Sequence, residues 1–297
     1  MHADEVHTDV PLVRRLLAAQ FPQWAALPIE PVASAGTDNA IYRLGEDMAV
    51  RLPRREQNAR QLEKERRWLP TLAPLLPLTI PIPLATGKPA EGYPCEWSVY
   101  RWLEGEAATE ETIADLGQAA TDLAAFIAAL QRVDPAVGPP PGAHNSFRGV
   151  PLATRDETTR AAISSLSATI DAGPLTAAWE AALSAPEWKR PPVWIHGDLD
   201  VRNLLVENGR LSAVIDFGCL GVGDPAYDVM VAWKVLSADN RDIFRSALSV
   251  DEATWARARG LALSQAVVAL AYYTLETNAV LVREAQRWMV EVLADRA

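Results

Sequence analysis

Two cysteines in 297 residues, Cys95 and Cys219, are too few for a disulfide framework and show no metal-type spacing, so both read as small buried side chains. Long apolar runs are missing too. The longest, Leu69–Ala85, is broken by five prolines and cannot run as one membrane helix. The opening Met1-His2-Ala3-Asp4-Glu5 lacks the basic region and apolar core of a secretory signal, which implies a cytoplasmic protein with no membrane partner. Basic charge is in deficit. With 28 Lys and Arg against 38 Asp and Glu the net charge is −10, the wrong balance for displacing counterions from nucleic acid. No G-x-x-x-x-G-K-[ST] stretch and no G-x-S-x-G elbow occurs, which removes a P-loop and a serine hydrolase.

What remains is an ordinary globular composition, 49% hydrophobic and 22% charged, in a chain long enough for one large domain or two lobes. The charge is unevenly placed. Residues 1–103 hold 12 basic and 12 acidic side chains, whereas residues 104–297 hold 16 and 26. Texture changes at the same place. Before it, Pro31–Ala35, Ala40–Leu44 and Met48–Leu52 read as strands of a meander separated by turn residues. A helix is expected over Glu56–Leu69, stopped by Pro70, and another strand at Trp97–Tyr100. After residue 103 long helices dominate: one capped by Thr109 with Ile113, Leu116, Leu123, Ile127 and Leu130 on one face, another opened by a Ser249/Glu252 capping box and running to about Tyr273. These patterns give two regions, residues 1–103 and 104–297.

The segment Val193–Asp228, VWIHGDLDVRNLLVENGRLSAVIDFGCLGVGDPAYD, carries the chemistry. Two apolar runs flank Asn208-Gly209, the turn chemistry of a β-hairpin. Such a hairpin would set Asn203 and Asp216 side by side, a pair of oxygen donors suited to Mg²⁺. Asp198 precedes Asn203 by five residues, the spacing of the kinase catalytic loop H-R-D-x-x-x-x-N, in which the aspartate takes the proton of the attacking hydroxyl and the asparagine holds a metal. Asp216-Phe217-Gly218 then supplies the metal-binding aspartate. A single aspartate here reads as a turn residue; the combined order and spacing do not. His196 reads as structural, bonded to the loop backbone.

Taken together, HGDLDVRN at 196–203, IDFG at 215–218 and GDPAYD at 223–228 resemble the signature of the aminoglycoside phosphotransferases, whose kinase-like fold is shared with choline kinases and macrolide phosphotransferases. The resemblance spans the chain. It implies an α+β, protein-kinase-like, two-lobed fold: a small antiparallel-sheet lobe that binds nucleotide and a larger helical lobe carrying catalytic loop, metal and acceptor sites. It also implies ATP or GTP as co-substrate, Mg²⁺, and the roles of base for Asp198 and metal ligands for Asn203 and Asp216. Asp224 and Asp228 would brace the helix after the metal loop. Asp200 stands where the family often has histidine and receives no role.

Met48-Ala49-Val50-Arg51 resembles the family strand V-A-I-K, with Arg51 in place of the phosphate-binding lysine; its helical partner would be Glu65, or else Glu63. Gly36, Asp38 and Asn39 fall where the nucleotide-covering loop lies, and Tyr100-Arg101-Trp102 where backbone groups meet the purine. Acceptor recognition implies clustered carboxylates, and Glu276 is the candidate contact. The favoured function is an antibiotic-resistance kinase acting on a cationic aminoglycoside. The same chemistry on a macrolide or a metabolite alcohol such as choline, homoserine or a sugar, and a non-catalytic nucleotide-binding module, are the alternatives.

Overall fold

A computed structural model describes residues 6–32, 39–55, 59–109 and 111–295. The chain divides into two compact units, Met1–Glu106 with Ser212–Gly218, and Ala107–Leu211 with Cys219–Ala297. The first unit thus takes in Ser212–Gly218, which a division at residue 103 assigns to the second stretch of chain.

In the first unit, strands β1 (Ile29–Pro31), β2 (Asn39–Leu44), β3 (Met48–Pro53), β4 (Pro83–Gly87) and β5 (Trp97–Arg101) form a sheet in the order β1-β2-β3-β5-β4, with antiparallel neighbours throughout. The meander expected from the sequence is present. Its first strand lies earlier than Pro31–Ala35, pairing Ile29 with Leu44 and Pro31 with Tyr42; residues 33–38, with Gly36 and Asp38, lie outside the described residues. Helix α1 (Val10–Gln20) begins where the Asp9 carboxylate accepts the Leu12 amide at 2.7 Å, satisfying one of the free N–H groups of the first turn. Leu12, Val13, Leu16 and Leu17 recur on one face and are buried with Leu44, Val50, Leu52, Trp97 and Val99. Each such side chain contributes about 2 kcal/mol of transfer free energy.

Helix α2 (Ala59–Leu72) runs through Pro70 rather than stopping before it. Pro70 sits in the last turn, where it forfeits one backbone hydrogen bond. Buried Leu62, Glu65, Leu69 and Leu72 keep the helix to its face of the unit, so tertiary packing overrides the local stop signal. Ser212–Gly218 joins this unit through Thr79, whose amide donates to the Ser212 carbonyl at 3.1 Å and whose carbonyl accepts the Val214 amide at 2.9 Å.

The second unit is mainly helical: α3 (Leu116–Gln131), α4 (Asp156–Leu166), α5 (Ala172–Leu183), the short α6 (Ala226–Val229) and α7 (Val231–Lys234), α8 (Ala238–Leu248), α9 (Glu252–Tyr272) and α10 (Leu275–Ala294). Helix α9 is buried on most sides and packs on α4, α5, α6 and α10. At Gly260 a Cβ would come within 2.4 Å of Ala182 Cβ, so the absent side chain sets the close approach of α9 and α5.

Both helix starts read from the sequence move by a few residues. Asp115, not Thr109, caps α3, accepting the Gly117 and Gln118 amides at 2.8 and 3.0 Å; Thr109 closes only a turn with Thr112. Asp251, not Ser249, caps α9, because Ser249 is already used as the left-handed C-cap of α8 with φ 55°. A charged oxygen at the right offset outcompetes a hydroxyl farther back.

Four short strands carry the motif segment: β7 (Val193–Ile195), β8 (Leu204–Glu207), β9 (Arg210–Val214) and β10 (Gly221–Gly223), the last pairing antiparallel to β7. Strands β6 (Glu106–Ala107), β8 and β9 form a sheet in that order. The β8–β9 connection is Asn208-Gly209, both at positive φ (53° and 79°), the conformation that an Asn-Gly hairpin turn requires.

Candidate active site

In the first unit the strand residue Arg51 is held from several directions. Its Nη1 donates to both Glu65 oxygens, at 2.9 and 2.8 Å, and the Asn39 amide, in the orientation that turns its oxygen to Arg51, accepts from Nη2 and Nε at 3.0 and 3.1 Å. The Tyr100 hydroxyl donates to Glu65 Oε2 at 2.6 Å, and the Arg51 guanidinium lies 5.9 Å from the Tyr100 ring centre. Burial alone would weaken the positive charge of Arg51, but Glu65, Tyr100 and Asp216 together hold its pKa above the ordinary arginine value. Burial and the Glu65 carboxylate push the Tyr100 phenol well above 10. Glu65 is therefore the partner the structure brings to Arg51, while Glu63 is exposed.

Asp216 adopts a left-handed backbone, φ 60°, which aspartate tolerates better than most residues. Its Oδ1 accepts the Gly218 amide at 3.2 Å. Lys64, which the motifs did not single out, donates from Nζ to the Gly218 carbonyl at 2.5 Å and ties α2 to this loop. At Tyr100-Arg101-Trp102, two amides are already committed: Arg101 N–H to Ile82 O at 3.1 Å and Trp102 N–H to Asp47 O at 2.7 Å. Any purine contact from this stretch falls to its carbonyls or to Leu103.

In the second unit β7 delivers His196-Gly197-Asp198 into a turn. Asp228, fully buried, accepts the His196 and Gly197 amides at 2.8 Å each. Burial pushes the Asp228 carboxyl up, against the pull of His196 and those amides. Asp228 thus clamps the loop, rather than only bracing the helix after it. The His196 side chain Nδ1 accepts the Asp198 amide at 3.2 Å, a structural role within the loop. The Asp198 side chain is 30% exposed, with Arg148 Nη2 3.6 Å from its Oδ1. Asn203 donates from Nδ2 to the Asp198 carbonyl at 2.7 Å.

Asp200, given no role from sequence, is wholly buried. It caps the turn Val201–Asn203 by accepting the Arg202 amide at 2.9 Å and pairs with Arg202 Nη2 at 2.5 Å and Lys234 Nζ at 3.3 Å. Burial would raise the Asp200 carboxyl, but the charge of Lys234 and the hydrogen bond from Arg202 bring it down to about 2. Lys234 is 1% exposed, its Nζ 4.6 Å from the Trp288 ring centre. A lone lysine inside the apolar run Val229–Leu236 was the available sequence signal, since a buried ammonium demands a carboxylate. Asp224 caps Ala226 at 2.9 Å and pairs with Arg257 of α9 at 2.8 and 3.0 Å. Glu276 is exposed in the first turn of α10. Cys95 is buried as expected, whereas Cys219 is only half-buried, because it stands in the loop after Asp216 and not in a core layer.

Asn203 and Asp216 each keep an oxygen of the kind a hard cation takes. With Nδ2 committed to Asp198, Asn203 has its amide oxygen to offer, and Asp216 has Oδ2 beyond the oxygen taken by Gly218. Asn203 belongs to the second unit and Asp216 to the first.

A family model described as the phosphotransferase enzyme family matches residues 29–261. Among solved structures, the fold is similar to a GDP and kanamycin complex of APH(2")-IIia (TM-score 0.72, 21% identity, 96% of this chain and 99% of that one). It is likewise similar to a GDP complex of wild-type aminoglycoside 2'-phosphotransferase-IIIa (0.72, 20%, 97% and 99%) and to macrolide 2'-phosphotransferase MphH from Brachybacterium faecium (0.62, 23%, 95% and 97%). No curated protein matches the sequence. A small antiparallel-sheet unit and a larger helical one are what this kinase-like fold consists of.

Proposed function

The chain belongs to the phosphotransferase enzyme family, and from that premise we propose that it moves the γ-phosphoryl group of Mg²⁺-bound ATP or GTP onto a hydroxyl of an amine-bearing small molecule of the aminoglycoside type. The observation that carries this reading is the loop at 196–203. Its backbone is pinned by Asp228, His196 and Asn203 while the Asp198 carboxylate alone among these acidic groups stays partly open.

Asp198 then accepts the proton of the attacking hydroxyl and orients its oxygen toward phosphorus. Asn203 and Asp216 would hold Mg²⁺, which neutralises charge on the nucleotide phosphates. Arg51, fixed by Glu65 and Asn39, has one Nη2 hydrogen left for a nucleotide phosphate oxygen and a permanent positive charge to set beside the phosphates. Family members at this distance carry several acceptors, so the acceptor rests on charge: the excess of carboxylates after residue 103 favours a cation. A macrolide is the second reading, supported by exposed Tyr272 (77%), Leu275 and Val280 around the start of α10, an apolar surface suited to an amino sugar on an apolar body.

Nucleotide consumption by the purified chain against aminoglycosides, macrolides and small neutral alcohols, with ATP and with GTP, tests this reading. Turnover is expected with amine-bearing sugars, and Asp198→Ala should lower kcat by roughly 10²–10⁴ while nucleotide binding persists. A neutral or anionic best acceptor overturns the substrate class, and near-normal turnover by folded Asp198→Ala overturns the base.

A further inference from the structure

The backbone of Asp198 is fixed on both sides: its amide goes to His196 Nδ1 at 3.2 Å and its carbonyl accepts from Asn203 Nδ2 at 2.7 Å. What those bonds leave open is the torsion of the side chain. Among the described residues, the cation within 4 Å of the carboxylate is Arg148, Nη2 to Oδ1 at 3.6 Å. This arginine comes from a segment 50 residues upstream that no motif marks.

That segment is built at some cost. The Asn145 side chain accepts the Gly142 amide at 3.0 Å and donates to the Arg148 carbonyl at 3.0 Å. Ser146 and Phe147 between them both sit at left-handed φ, 52° and 55°, a conformation that costs a non-glycine residue about 1 kcal/mol or more. Both signature stretches then close on it. A Cβ on Gly197 would lie 3.1 Å from Arg148 Cβ and 3.2 Å from its Cγ, and a Cβ on Gly223 would lie 2.4 Å from Gly149 Cα. The Gly149 carbonyl accepts the Asp224 amide at 3.0 Å. Gly197 and Gly223 therefore lack side chains where the Arg148 segment must pass.

Beside Asp198, Arg148 faces the side chains of Cys219, with which it hydrogen-bonds, and Tyr227. It is 17% exposed, and its Nε is buried without a hydrogen bond, an arrangement that costs stability and that an aliphatic side chain would avoid. Its charge is turned toward Asp198. We propose that Arg148 is a positioning residue: it pairs with Asp198 Oδ1, fixes the rotation of the carboxylate and leaves Oδ2 to the acceptor hydroxyl, so that it acts on phosphoryl transfer and not on nucleotide binding. This rests on Asp198 being the base.

The test is a double-mutant cycle in the full-length chain with Arg148→Ala, Asp198→Ala and both together. Mg²⁺–nucleotide consumption is followed with the best acceptor of the panel, or with water where no acceptor exceeds it. Arg148→Ala should lower kcat roughly 10- to 100-fold with nucleotide KM within about twofold of wild type. Arg148→Lys should regain at least about threefold of that loss, and the double variant should fall no more than about twofold below Asp198→Ala alone, because the two groups act as one unit. Arg148→Ala within about twofold of wild type, or a double variant showing the product of both losses, overturns the proposal. Where Arg148→Ala fails to fold, Arg148→Gln and Arg148→Lys carry the same cycle. An active Asp198→Ala variant instead removes the base assignment, a result that the Asp198 single variant reports whatever Arg148 does.

Discussion

Arg51 in the first unit and Asp198 in the second are held in opposite ways. Arg51 is 11% exposed and tied by Glu65 through two hydrogen bonds and by Asn39 through two more. Asp198 has its backbone tied and its carboxylate 30% exposed, with one ion pair beyond hydrogen-bonding distance. The surrounding charges differ in the same sense. Asp200 and Asp228, also in the second unit, are fully buried and held by several partners each. The proposed roles account for the difference: a group that binds the same phosphates before and during reaction gains from rigidity, whereas a group that must take up a proton needs an open face. Rigidity around Asp198 is supplied instead by its neighbours.

Removing the rigidity of the first unit should have the largest effect on stability. Glu65→Gln leaves the Arg51 guanidinium buried beside a neutral amide, and Glu65 is itself 1% exposed. Breaking one side of such a pair costs roughly 3 kcal/mol, to be read as a lower urea midpoint, with a rise in nucleotide KM from the displaced Arg51. A variant as stable as wild type with unchanged KM would mean that Asn39 and Asp216 hold Arg51 unaided.

A smaller loss is expected in the second unit from Lys234→Met, about 2 kcal/mol, because Arg202 remains to pair with Asp200. This variant also has a pH signature. Asp200 is held at about 2 against an ordinary 3.8, so the stability it contributes is present above about pH 4 and disappears as the pH falls toward 2. Without Lys234 the folded-state value rises toward the unfolded one, so the two states differ less in bound protons and the acid-dependent part of the loss shrinks. Urea midpoints should therefore start lower at pH 6 in Lys234→Met and fall less steeply toward pH 3 than in the wild type, and parallel curves for the two proteins would show that Lys234 does not hold Asp200 charged.

The mildest effect concerns the exposed carboxylates. The whole net charge of −10 falls after residue 103, and kcat/KM for a polycationic acceptor should drop as added salt shortens the screening length to about 8 Å at physiological ionic strength. Glu276→Gln should weaken that acceptor a few-fold and leave nucleotide affinity alone. Equal rates in low and high salt would assign the acidic surface to solubility.

Much of this was legible as local pattern. The meander and the Asn-Gly hairpin depend on turn residues and alternation within short windows, and both form, with the first strand moved to Ile29–Pro31. Helix starts were less legible: Thr109 and Asp115, or Ser249 and Asp251, are all plausible caps, and the choice fell to whichever oxygen the preceding chain left free. Pro70 inside α2 misled because burial of Leu62, Leu69 and Leu72 outweighs one missing hydrogen bond.

The sequence by itself determined the family and the order of chemical groups, since both follow from residue type at fixed separation, while the pairing of Arg51 with a helical glutamate came from the resemblance and left Glu65 and Glu63 for packing to decide. Only the tertiary structure decided which residues act on those groups from afar. Asp228 clamps a loop 30 residues earlier, Lys234 of α7 neutralises Asp200, and Arg148 reaches Asp198 from a strained turn. A buried charge takes the partner that packing brings within about 4 Å, and no spacing along the chain encodes that distance.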